Sequence, residues 1–181
     1  MPVEIIGMIG VKPEGADGAA VHVIGGAVDT RWVRDFAQAH EDAGFDRVLV
    51  GYTSTSAEGF AVTGYGAAHT RVSVVGEGPG IRPQAVGARR LVEFAREAEV
   101  HDKRLWTPIA AAMGGAGNTT ALVGTPEQVA ESLLDYYDIG CTTMLIRGFD
   151  PLNDALDYGR ELIPMVRAEV ARRDREAVVS A

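Results

Sequence analysis

At 181 residues the chain is long enough for one domain with a sizeable core, and 46% hydrophobic residues argue against disorder. A net charge of −8 gives no general attraction to nucleic acid or to an anionic membrane. No apolar run reaches the ~20 residues of a membrane span, VEIIGMI is not preceded by the basic region of a signal peptide, and the single cysteine, Cys141, fits a reducing cytoplasm.

Val3 to Ile9 is short, apolar and β-branched, so it predicts a buried strand. Residues 10–28 are rich in glycine and predict a long loop. Asp29 or Thr30 can cap the next segment, in which Trp32, Val33, Phe36, Ala37 and the Ala39–His40 pair recur at helical spacing; Gly44 is its predicted stop. RVLVGY, 47–52, predicts the second strand. Ser56 can cap a glycine-weakened helix, AEGFAVTGYGAAH, and RVSVV, 71–75, predicts the third strand. Strands alternating with helices imply βαβ units and a parallel sheet.

After the loop EGPGIRP, residues 84–100 predict one amphipathic helix carrying Val86, Leu91, Val92, Phe94 and Ala95 on or near its apolar side. A short apolar helix is expected over 105–112 and a loop over 114–119. Thr125-Pro126-Glu127-Gln128 is a helix start with a capping box, and Gly140 ends that helix. TTMLIRG, 142–148, predicts the fourth strand. Asp150-Pro151 opens the last helix, Pro164 is expected to kink or divide it, and the tail 168–181 is expected to fray.

Two blocks carry a family resemblance. The first is IIGMIG, AQAHEDAGFDRVLVGY and STSAEGF. The second runs from PQAVGARRL through HDKRLW and GNTTALVGTPEQVAESLLDYYDIG to LIRGFDPLNDALDYGRELIP. Together they resemble luciferase-like, flavin-dependent monooxygenases of the alkanesulfonate monooxygenase type. That family builds a complete (β/α)8 barrel, which takes about 250 residues. The resemblance places barrel strands one to three in residues 1–80, and the lid-like loop, strand eight and last helix in 83–167. Strands four to seven have no counterpart, and the join lies near GEGPGIRPQ. The implied fold is one truncated domain, 1–181: a partial, TIM-barrel-like half-barrel with parallel strands and helices on the outer face. Its exposed inner face and open edges imply a homo-oligomer.

The resemblance implies reduced FMN supplied by a reductase partner, O2, and a small organic substrate. It also implies a site at the carboxyl ends of the strands. Tyr52, Ser54, Ser56 and Glu77 are the implied cofactor contacts, and Lys12, Arg147, Phe149 and Met113 the implied substrate contacts. Ser56 stands where some relatives carry a cysteine near the flavin; its plainer reading is a helix N-cap. Phe149 replaces a tyrosine and can donate no proton. Met113 stands where an arginine can meet the sulfonate. Gly114, Gly115, Gly117 and Asn118 suit a mobile lid or a plain connector. Lys12 and Arg147 could meet a sulfonate or phosphate, and read otherwise as solvated charges.

The family's flavin-phosphate contacts, catalytic histidine and arginine fall in the strands without counterpart, so no catalytic residue is carried over. A non-catalytic half-barrel that binds flavin or protein is the alternative. His40 precedes Glu41 and Asp42, but adjacent positions do not share a helical face, so no metal site is expected there. Cys141 reads as a small buried hydrophobe. Trp32 and Trp106 read as core or interface anchors.

Overall fold

The computed structural model describes residues 2–10, 28–50, 62, 65–76, 86–112, 120–148 and 150–179. The chain divides into two compact units, residues 1–80 with 136–181, and residues 81–135.

The first unit is built on a four-stranded sheet. Its strands are β1 (Glu4–Ile9), β2 (Arg47–Val50), β3 (Ser73–Gly76) and β7 (Thr143–Leu145), in the order β3-β2-β1-β7. Every pairing is parallel: Ile6 lies beside Arg47 and Leu145, and Val48 beside Val74. The last strand of the chain therefore flanks the first, and the parallel α/β expectation holds.

Alternation along the strands separates two faces. Ile5, Gly7 and Ile9 are buried on one side, together with Val48, Val50 and Met144. The opposite side carries Ile6, Met8 and Leu49, which are half-buried, and Leu145, which is 53% exposed. Helix α1 (Thr30–Asp42) packs on the buried side. Its Val33, Phe36 and Ala37 join Ile9, Val48, Val50 and Val62 in one core cluster. Asp29 rather than Thr30 is the cap: one carboxylate oxygen accepts from the Arg31 and Trp32 N–H groups, at 3.0 Å each. Gly44 ends the helix in the left-handed region, φ 81°, as a C′ glycine does.

Asp46 ties three elements together. Its carboxylate accepts from the Ile5 N–H at 2.7 Å and from Arg167 at 2.8 Å. Glu41 anchors the amino end of β3 by accepting from the Thr70 hydroxyl, the Arg71 N–H and the Arg71 guanidinium. These donors, led by the Arg71 backbone N–H, pull the Glu41 carboxyl down to about 2.

The C-terminal helical segment begins with α5 (Pro151–Asp157), continues as a π turn (Tyr158–Leu162) and ends as α6 (Ile163–Val179). The division expected at Pro164 falls on the residues just before it. Proline has no N–H and crowds the carbonyl four residues back. Here the Ile163 N–H reaches five back, to the Tyr158 carbonyl. The expected fraying from residue 168 is not observed, because α6 runs to Val179. Val170 is buried, Arg172 and Arg173 both pair with Glu169, and the Tyr137 hydroxyl donates to Asp174 at 2.7 Å.

The second unit holds α2 (Val86–Glu97), strands β4 (Val100–His101), β5 (Leu105–Trp106) and β6 (Ala121–Leu122), and α3 (Pro108–Ala112). The strands form an antiparallel sheet in the order β4-β5-β6. Leu105 and Trp106 are thus strand residues, and the short helix expected over 105–112 starts only at Pro108. The buried Thr107 sets that boundary: its hydroxyl donates to the Ala98 carbonyl at 3.1 Å.

Helix α4 (Pro126–Asp138) opens with the expected capping box. The Thr125 N–H donates to Gln128 Oε1 at 3.0 Å, and the Gln128 N–H to Thr125 Oγ1 at 3.4 Å. Thr125→Ala is expected to remove about 1 kcal/mol of stability. Equal urea midpoints for the variant and the parent protein would show that the box contributes nothing.

Candidate functional site

All four strands of the large sheet run in the same direction, so their carboxyl ends gather at one edge. In parallel α/β sheets ligands bind at that edge. The described chain there comprises Gly10 after β1, Gly76 at the end of β3, and Ile146-Arg147-Gly148 after β7. The Ile146 N–H donates to the Ile6 carbonyl at 2.9 Å, which prolongs the β7–β1 ladder past Leu145. Two residues beyond Leu145, Arg147 returns to the partly open side of the sheet. Its Nη1 lies 3.2 Å from Met8 Sδ, and the side chain is half-buried.

The loop after Arg147 is held tightly. A Cβ added to Gly148 would fall 1.8 Å from Asp154 Oδ2, so only glycine fits against that carboxylate. The same Asp154 oxygen accepts the Asp150 N–H at 2.8 Å, and Asn153 Nδ2 donates to Asp150 Oδ2 at 2.6 Å. Asp150 thus sits at the expected helix start, but the cap is reversed: the side chain of Asp154 reaches back to its backbone. Burial, and then Asp154 and Asp157 nearby, push the Tyr158 hydroxyl up to about 12, so it stays protonated at neutral pH.

This arrangement sets the Arg147 guanidinium beside backbone that Asp154 meets at Gly148 and Asp150. A guanidinium is the group that holds a sulfonate, phosphate or carboxylate through two parallel hydrogen bonds; in this structure Nε and Nη2 of Arg147 are buried. Of the eight implied cofactor and substrate contacts, Arg147 alone is described, and it stands at the expected strand end. Lys12, Tyr52, Ser54, Ser56, Glu77, Met113 and Phe149 lie outside the described residues. Met8 and Asp154 were missed. Strand parity could have found Met8, since alternation puts it on the same face as Arg147. Asp154 gave no signal beyond its position in the first turn of α5, because its role depends on how the loop folds back.

Three other described side chains of the first unit, His40, Cys141 and Glu41, do not join the site. His40 is buried on the helix-covered side, and Cys141 is exposed. The expectation of a buried Cys141 is corrected: Gly140, at φ 100°, turns the chain out of α4, and Cys141 falls in that surface connection before β7. Glu41 is committed to Thr70 and Arg71. Among the described residues no group of three His, Cys, Asp or Glu side chains is placed to hold a metal ion, and no helix is long and apolar enough to cross a membrane. No family model matches the chain.

Proposed function

We propose that the chain is a shortened relative of the luciferase-like, FMN-dependent monooxygenases. In this reading it binds reduced flavin and a small anionic organic substrate at the carboxyl edge of its parallel sheet. The observation that carries the reading is the parallel pairing of the last strand, β7, with the first, β1, in the order β3-β2-β1-β7. A closed (β/α)8 barrel makes its eighth strand the neighbour of its first, so a half-barrel retaining strands eight, one, two and three has this order.

Arg147 would meet the acidic group of a sulfonate-type substrate, with Lys12 and Phe149 as further substrate contacts. Tyr52, Ser54, Ser56 and Glu77 would hold the flavin. When bound, reduced FMN would supply the electrons for transfer of one oxygen atom from O2. The chain's own residues would bind and orient the substrate and keep water from it. The partly open sheet face, with Leu145 exposed, favours a second copy completing the site.

Anaerobic titration with FMNH2, followed by tryptophan fluorescence, tests the proposal. Saturable binding in the micromolar range is the expected result. Absence of binding up to millimolar flavin would overturn it and leave a non-catalytic half-barrel as the reading.

A further inference from the structure

His40 lies near the end of α1 and is only 2% exposed. Its ring packs between the rings of Phe36 and Phe45, with centroids at 4.9 and 4.6 Å. Nδ1 lies 2.9 Å from the Phe36 carbonyl oxygen. A carbonyl only accepts, so Nδ1 carries the proton of the neutral ring and Nε2 is left bare. The ring's Nε2 edge presses on β1: a Cβ added to Gly7 would fall 2.3 Å from Nε2 and 2.1 Å from Cδ2. Gly7 is therefore the gap in β1 that admits the ring.

The described charged groups of the surrounding elements are engaged elsewhere or exposed: in the helix packed on α1, Asp154 accepts the Asp150 N–H and Asp157 pairs with Arg160. Glu4 of β1 pairs with Arg47. Glu41 of α1 is held by Thr70 and Arg71, while Asp42 is exposed. Asp46, beyond Phe45, is held by the Ile5 N–H and Arg167. Among the described residues, an imidazolium at this place would have a buried charge and no carboxylate to meet it.

We infer that His40 is an acid-sensitive pin of the fold: the α1–β1 seam holds only while the ring is neutral, and taking up a proton forces the ring out from between Phe36, Phe45 and Gly7. Burial pushes its ionisation from 6.5 down to about 4, with the Phe36 carbonyl opposing in part. The folded value thus lies below the unfolded one. The contribution is complete above about pH 6.5 and is lost as the pH falls through about 4: on this account the folded-to-unfolded ratio has dropped about 150-fold at pH 4 and about 300-fold well below it.

The test compares urea unfolding of the full chain and of His40→Phe from about pH 7 to about pH 4.5. The difference between the two removes the titration of the carboxylates. The parent is expected to lose more stability than the variant as the pH falls; equal losses would overturn the inference. Should His40→Phe fail to fold, the His40 ring resonances of the parent decide it. A His40 ring that stays neutral below about pH 5 in the folded state supports the pin, and one that titrates near 6.5 in the folded state refutes it.

Discussion

Gly159→Val is expected to destabilise the protein by about 3 kcal/mol, at the upper end of overpacking costs. Gly159 lies in the π turn, where the C-terminal helical segment passes the end of α1. A Cβ there would fall 2.5 Å from both the Cα and the carbonyl oxygen of Ala43 and 2.6 Å from its Cβ. Two of these three atoms are backbone, so no rotamer change relieves the clash and the helices must separate. Valine regains a few tenths of a kcal/mol of helix propensity over glycine, which is too little to offset that. The urea midpoint measures the cost. An unchanged midpoint would mean that the segment slides past Ala43 freely, and that the close approach is not a fixed part of the fold.

This contact also shows where sequence reading stops. Local signals were legible because each rests on a few neighbouring residues: the Asp29 cap, the Gly44 and Gly140 stops, and the Thr125–Gln128 box. The parallel sheet followed from alternation of strands and helices, and the parity of β1 fixes which residues face the core. Gly159 was not legible, because Ala43, which makes it necessary, is far away in the chain. Thr107 was missed for a similar reason: its hydroxyl bond to Ala98 lets a strand precede α3 where composition alone suggested continuous helix. Cys141 misled because small apolar character says nothing about the direction a chain takes after a left-handed glycine. The site was least legible. Arg147 was found by its place at a strand end, whereas the grip of Asp154 on Gly148 and Asp150 belongs to the folded loop.

Phe36→Ala should cost about 3–5 kcal/mol, the range for emptying a buried aromatic site. Phe36 is 2% exposed, lies in the main cluster with Ile9, Val48 and Val50, and touches the rings of Trp32 and His40. Total stabilities of single domains are about 5–15 kcal/mol, so this one loss would bring the fold close to its limit. The opposite side of the same sheet supplies the comparison. Leu145, 53% exposed, should tolerate Leu145→Ala within about 0.5 kcal/mol at low protein concentration. Thermal unfolding of both variants over a range of protein concentrations separates two cases. If Phe36→Ala alone is costly at every concentration, the helix-covered side is the core and the Leu145 side is solvent-facing. If Leu145→Ala becomes costly only as concentration rises, a second copy covers that side, since binding to the folded state adds stability by mass action. A mild Phe36→Ala effect would overturn the assignment of the core to the α1 side of the sheet.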